Sequence, residues 1–319
     1  MGIPAGQGEV KGSFVVEAEP MLHVGCVGFP VPKARYFAKF RFAEMADTFY
    51  QPPRPATLKR LRAEAPAGFV FAMRAWQTVT HPVGSPGWAR LAKRPGGAAA
   101  TRLGHLQDTP EVHSGWGETL KSAAALDARL IVVETPSSFT PSAANRKTLA
   151  RFFSESPRDG RTLVWEPRGL WERREALKLA RQMGVVLAED PLGDPHAQHE
   201  PGEAEIVLLR VRSLGHARIG ESALEKVLLA CEGAAESFIV FETATPSRDA
   251  ERFLRLVDEL GASDEEGDED EPDDDSDDDE DEDLDEDDED ADEDADEDAG
   301  DEGGAQPDEE GREGRNDEE

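Results

Sequence analysis

Eight short apolar runs, none of them alternating, constrain the fold of this chain more than any other feature. They occupy residues 22–29, 40–46, 68–75, 128–134, 162–166, 185–190, 206–211 and 238–242. Runs this short, rich in Val, Ile, Leu and Phe, suit parallel strands buried on both faces. Helical patterns separate most of them. Residues 55–65 place Leu58 and Leu61 on one side, with Pro55 near the start. A second pattern covers 118–126 and reaches back toward Pro110, and 142–153 opens on Ser142 as a cap. Residues 171–183, 222–231 and 247–260 repeat the theme, whereas 191–204 read as loop. Strands alternating with helices predict parallel βαβ units, and eight of them fit a closed TIM-like (β/α)8 barrel of about 250 residues. An open doubly wound sheet is the alternative, but no GxGxxG follows any strand.

Charge divides the chain in two. Of 69 acidic residues, 38 lie in 264–319, beside only two of the 35 Lys and Arg. That stretch has no apolar periodicity and cannot offset the entropy of ordering, so a disordered acidic tail is expected over 263–319. The preceding part is nearly neutral. It divides into a flexible lead-in over 1–20 and one barrel domain over 21–262. Two cysteines, Cys26 and Cys231, provide neither a disulfide framework nor zinc spacing. With no signal-peptide pattern and no apolar run near 18 residues, the expected location is cytoplasmic and no membrane partner is expected.

In a barrel, chemistry sits where strands end and the following loops begin. Read in order, those positions hold Glu44, Arg74, Glu134, Glu166 with Arg168, Asp190, Arg210 with Arg212, and Glu242. Charges are costly to bury unless paired, so a ring of them at one rim predicts a polar pocket or a set of ion pairs. His81, just past the third run, is an acid/base candidate. His196, His199 and Glu200 resemble a metal trio but lack a helix to orient them, and no metal site is assigned. Trp76, Trp165 and Trp171 lie near strand ends. Ser137, Ser138 and Thr140 have no local elbow motif or His/Asp partner.

Several stretches taken together resemble one family. EMADTFYQPP (44–53), GFVFAMRAWQTVTHP (68–82), ETPSSFTPSAAN (134–145), WEPRGLW (165–171), EDPLGDP (189–195) and FETATPSRDAERF (241–253) follow in order the motifs of the YecE-like proteins, the domain of unknown function numbered 72. The resemblance covers about residues 22–260 and implies a TIM-like barrel without an established activity. It retains Glu44, Thr48, Tyr50, His81, Glu166, Arg168, Asp190 and Arg210. It departs at Ala46 (Asn in the pattern), Arg74 (Lys), Glu134 (Gln), Arg212 (His), and Glu242 with Thr243 (paired Asn). An arginine in place of lysine keeps the charge but removes a base.

Two functions from different classes follow. One is a hydrolase of an anionic small molecule or nucleotide. Glu44, Glu166 and His81 are then the catalytic candidates, and Arg74, Arg168, Asp190, Arg210 and Tyr50 bind substrate. The other is a non-catalytic ligand-binding or regulatory scaffold whose acidic tail recruits a basic protein. No cofactor is identified. Direct nucleic-acid binding is not expected, since the barrel's Lys and Arg form no basic stripe.

Overall fold

The computed structural model describes residues 20–91, 94–193, 205–213 and 218–265, with side chains through residue 260. The expected lead-in, the His196–His199–Glu200 trio and nearly all of the acidic tail lie outside them. Eight parallel strands pair in chain order: β1 (Met21–Val27), β2 (Phe42–Met45), β3 (Val70–Arg74), β4 (Ala128–Thr135), β5 (Thr162–Pro167), β6 (Val186–Glu189), β7 (Ile206–Arg212) and β8 (Glu236–Glu242). Pairing of β8 with β1 closes the barrel. The helices are α1 (Lys33–Lys39), α2 (Asp47–Tyr50), α3 (Pro55–Glu64), α4 (Gln77–Thr80), α5 (Pro110–Leu126), α6 (Ala143–Glu155), α7 (Arg173–Met183), α8 (Glu221–Leu229) and α9 (Pro246–Glu265). No helix among the described residues is long and apolar enough to cross a membrane.

Strand alternation produces two cores. Phe42, Ala72, Leu130, Val132, Val164, Leu208, Phe238 and Val240 fill the barrel interior. Their sequence neighbours, among them Ala43, Phe71, Met73, Ile131, Val133, Trp165, Leu209 and Phe241, belong to the second apolar layer, with the helices. Because successive side chains point to opposite faces, Trp165 and Glu166 part company. Trp165 packs edge-on against Trp171 and donates to Thr135 Oγ1 at 3.1 Å.

The helices start where capping chemistry allows. Thr109 Oγ1 accepts from Val112 N ahead of Pro110, and Ser142 Oγ accepts from Asn145 N. Glu172 accepts from the amides of Arg174 and Glu175, so α7 begins two residues later than its apolar pattern. The pattern did not reveal α1. Its fixed point is Tyr36, whose hydroxyl donates to Phe42 O and accepts from Cys26 N, both at 2.7 Å, tying β1 to β2. Gly25 makes room, since a Cβ there would lie 2.0 Å from Phe42 O. Between β3 and α5 the chain adds α4 and two 3-10 turns, Pro86–Arg90 and Gly97–Arg102. Between β6 and β7 the described residues include no helix. At the N-terminal ends of the strands, Glu236 joins His23 Nε2 at 2.6 Å and both terminal nitrogens of Arg129.

Candidate functional site

The inward-facing residue at the carboxyl end of strand after strand is charged. The register aligns Glu134 with Glu166 and Arg212 with Glu242. All nine rim charges expected from the sequence join one ion-pair network of five carboxylates and four guanidiniums.

The floor of the network is sealed. Glu44 is wholly buried, receiving Arg74 Nε at 2.7 Å on Oε1 and Arg210 Nη2 at 2.6 Å on Oε2. Arg74 spreads its fork over three acids, reaching Glu134 at 3.3 Å and Glu242 at 3.2 Å with its terminal nitrogens. Arg210 Nη2 also lies 2.9 Å from Glu166 Oε2, in an ion pair without hydrogen-bond alignment. Arg210 Nε and Nη1 are buried without a hydrogen-bond partner.

Above the floor the side chains are partly exposed. Arg168 Nη2 and Arg212 Nη2 both approach Glu166 Oε1, at 3.3 and 2.5 Å. Arg168 also reaches Glu134 at 3.2 Å, and Arg212 reaches Glu242 at 3.1 Å and Asp190 at 3.8 Å.

These positions set the protonation states. Burial alone would raise the Glu44 carboxyl, but Arg210 and then Arg74 reverse this and hold it below the usual carboxylate range. Glu166 is likewise opposed by burial and pulled down by Arg210, Arg168, Arg74 and Arg212. Asp190 goes the other way. Burial raises it, partly offset by the Leu192 amide bonded to Oδ1 at 3.0 Å. His81 falls to about 4 through burial, with His105 and Arg168 adding repulsion. Its Nδ1 meets Thr80 Oγ1 at 2.8 Å, Nε2 faces Glu134 Oε1 at 3.8 Å, and Phe49 packs edge-on against the ring.

The expected site residues therefore divide. Glu44, Arg74, Glu166, Arg168, Asp190 and Arg210 converge, and His81 stands beside them. Tyr50 has no ion pair or hydrogen bond with the network among the described residues: Arg90 lies 4.0 Å over its ring, Phe49 packs between it and His81, and its carbonyl accepts from Trp76 Nε1 and Gln77 Nε2. Among the described residues no group of three or more His, Cys, Asp or Glu has an arrangement that could hold a metal. Interleaved guanidiniums occupy the carboxylates instead.

A family model described as a protein of unknown function, DUF72, matches residues 34–275. The chain belongs to the DUF72 family. A DUF72 protein from Enterococcus faecalis superposes with a TM-score of 0.53 at 16% identity, covering 76% of this chain and 98% of that one. One from Thermotoga maritima gives 0.53 at 18% identity, covering 75% and 99%. At such identities the likeness concerns the fold. Comparison with curated proteins gives no match.

At position 74, where the motif resemblance implies a lysine, the planar fork of Arg74 meets Glu44, Glu134 and Glu242 at once. The same resemblance implies uncharged residues at 134 and 242. Sequence reasoning missed a neighbouring pair: His105 Nε2 lies 2.9 Å from Ser138 Oγ. His105 and Leu106 both have positive φ, 54° and 53°, directly after Gly104 at 78°. Only the glycine signalled that turn in the sequence.

Proposed function

We propose that the barrel mouth binds a small molecule bearing a carboxylate or phosphate, held by Arg168 and Arg212. One observation carries this reading. Two partly exposed guanidiniums, Arg168 and Arg212, lie beside one carboxylate oxygen, Glu166 Oε1, at the open side of the network, where one anion can reach both. An incoming anion takes charge-assisted hydrogen bonds from both in exchange for part of their pairing with Glu134, Asp190 and Glu242.

The chemistry that best suits such a ligand is hydrolysis. Glu44 and Glu166 are ionised counter-charges with no proton to give, and their part in this reading is to position Arg210, Arg74 and Arg212. His81 and Asp190 are then the proton-transfer candidates. The imidazole is neutral at pH 7 and so can act as an acceptor, though burial weakens it as a base, and burial raises the Asp190 carboxyl.

A second reading draws on the same pairing. If the counter-charged floor is structural throughout, the mouth is a ligand-binding scaffold and the acidic tail recruits a basic protein. Calorimetric titration with inorganic phosphate and a panel of small carboxylates and phosphate monoesters tests the binding. Arg168→Ala and Arg212→Ala should each weaken it by about tenfold or more, the worth of one charge-assisted bond. Unchanged affinity in both variants would sink the anion site. Turnover of a bound ester that His81→Asn and Asp190→Asn abolish, with binding intact, marks the enzyme; binding without turnover marks the scaffold.

A further inference from the structure

We propose a phosphate subsite beside the mouth, so that the ligand of the barrel is a phosphate monoester of an organic acid. This deepens the reading of the mouth as an anion site and rests on it for the acid end alone. The subsite is a cavity of about 280 Å³ where the chain leaving β6 meets the start of α8. Sites for whole small molecules occupy about 300–1,000 Å³, so this one suits a single group of a larger ligand.

Charge decides which group. Arg212, Arg218 and Lys226 line the cavity, and among the described residues no acid does. Arg212 also belongs to the rim network and therefore borders both sites. Arg218 and Lys226 are exposed, and neither enters an ion pair among the described residues. A concave site whose cations lack counter-charges draws an anion into it. A phosphate monoester is close to a dianion at pH 7 and has three acceptor oxygens, so it matches three cations better than a carboxylate does.

The backbone adds to these cations. Gly220, the N-cap of α8, lines the cavity, and no side chain caps the first turn. Its amides are left for an outside acceptor. Glu221, the acid of that turn, is exposed and does not line the cavity. Ser222 and Lys226 do line it, four residues apart on one helix face. Pro191, Leu192 and Ile219 form the apolar part of the wall.

The test compares 6-phosphogluconate with gluconate, which lacks only the phosphoryl group, by calorimetric titration into the full chain. The phosphorylated probe should bind about a hundredfold more tightly, the worth of two charge-assisted bonds. Arg218→Ala and Lys226→Ala should each shrink that ratio about tenfold and leave gluconate as in the parent. Gly220→Asp sets a carboxylate over the same amides. A Cβ at 220 meets nothing within 4 Å and aspartate is a favoured N-cap, so the ratio should vanish with no fall in melting temperature. Arg168→Ala, at the mouth, should weaken both probes alike and leave the ratio intact. The subsite is overturned if the parent does not bind 6-phosphogluconate, if it binds both probes equally, or if the ratio survives Arg218→Ala, Lys226→Ala and Gly220→Asp. Gluconate binding untouched by Arg168→Ala, with the ratio still lost in Gly220→Asp, would overturn the mouth and leave the subsite standing.

Discussion

Replacing Glu44 by Gln should destabilise the barrel more than any other single charge removal at the mouth. The side chain is wholly buried and receives two guanidiniums, at 2.7 and 2.6 Å. Glutamine keeps the shape, but its amide turns a donor toward a donor and leaves Arg74 and Arg210 short of a counter-charge. Breaking a buried pair in this way costs about 3–5 kcal/mol. For a domain of this size each kcal/mol lowers the midpoint by about 2–4 °C, so the expected loss is roughly 6–20 °C. Thermal and urea unfolding at pH 7, followed by circular dichroism and tryptophan fluorescence, measure it. Glu64→Gln, on an exposed pair with Lys33, is the control and should leave the midpoint unchanged.

The sign of the pH dependence provides a second reading of the same variant. The folded Glu44 carboxyl lies below its unfolded value of about 4.3. Its contribution is therefore complete above that pH and is lost as pH falls through the folded value. The gap between parent and Glu44→Gln should close on acidification. A variant within about 1 kcal/mol of the parent at pH 7, the worth of a surface pair, would refute the claim that Glu44 holds Arg74 and Arg210 as a buried counter-charge.

Three other outcomes follow. His81 titrates at about 4 when folded against about 6.5 unfolded, so the unfolded chain binds more protons between those values. Stability should fall by up to about 3 kcal/mol as pH drops through that window, and urea midpoints of His81→Asn should lack this limb. Gly104→Ala combines a φ of 78° with a Cβ 2.3 Å from the His81 carbonyl carbon, and should cost about 2 kcal/mol or more in urea unfolding. Burial pushes the thiols of Cys26 and Cys231 to about 12 and 11, so a thiol reagent at pH 8 should label neither in the native chain and both after denaturation.

The strands were legible because strands buried on both faces must be apolar throughout, and a charge at the end of such a run stands out. Once the runs had implied a barrel, that logic located Glu44, Arg74, Glu166 and Arg210 at its rim. It could not distinguish a sealed carboxylate from an open one. Whether Glu44 or Asp190 can exchange a proton depends on which arginines closure brings across the interior, and β7 meets β2 only through the finished barrel. Tyr50 shared a motif with Glu44, but α2 turns it toward Arg90. Helix α1 escaped because KARYFAK buries only Tyr36 and Phe37, too few to show a period.

Two positions at which the motif resemblance implies other residues, 212 and 242, are in contact. An asparagine at 242 beside a histidine at 212 needs no counter-charge when the imidazole is neutral. Here Glu242 and Arg212 meet at 3.1 Å, and Arg74 reaches the same carboxylate at 3.2 Å. Introducing Glu242 alone would leave a carboxylate underpaired; introducing Arg212 alone would leave Glu166 crowded by guanidiniums. A double-mutant cycle on Glu242→Asn and Arg212→His tests the coupling. Each single change should destabilise the barrel, and the double should cost less than their sum. Both side chains are about 30% exposed, so solvent screening limits the coupling to about 0.5–1.5 kcal/mol. Urea unfolding of the four proteins resolves that difference. Strict additivity would mean that Arg212 and Glu242 are not energetically coupled, and that Glu242 is held by Arg74 and Arg210.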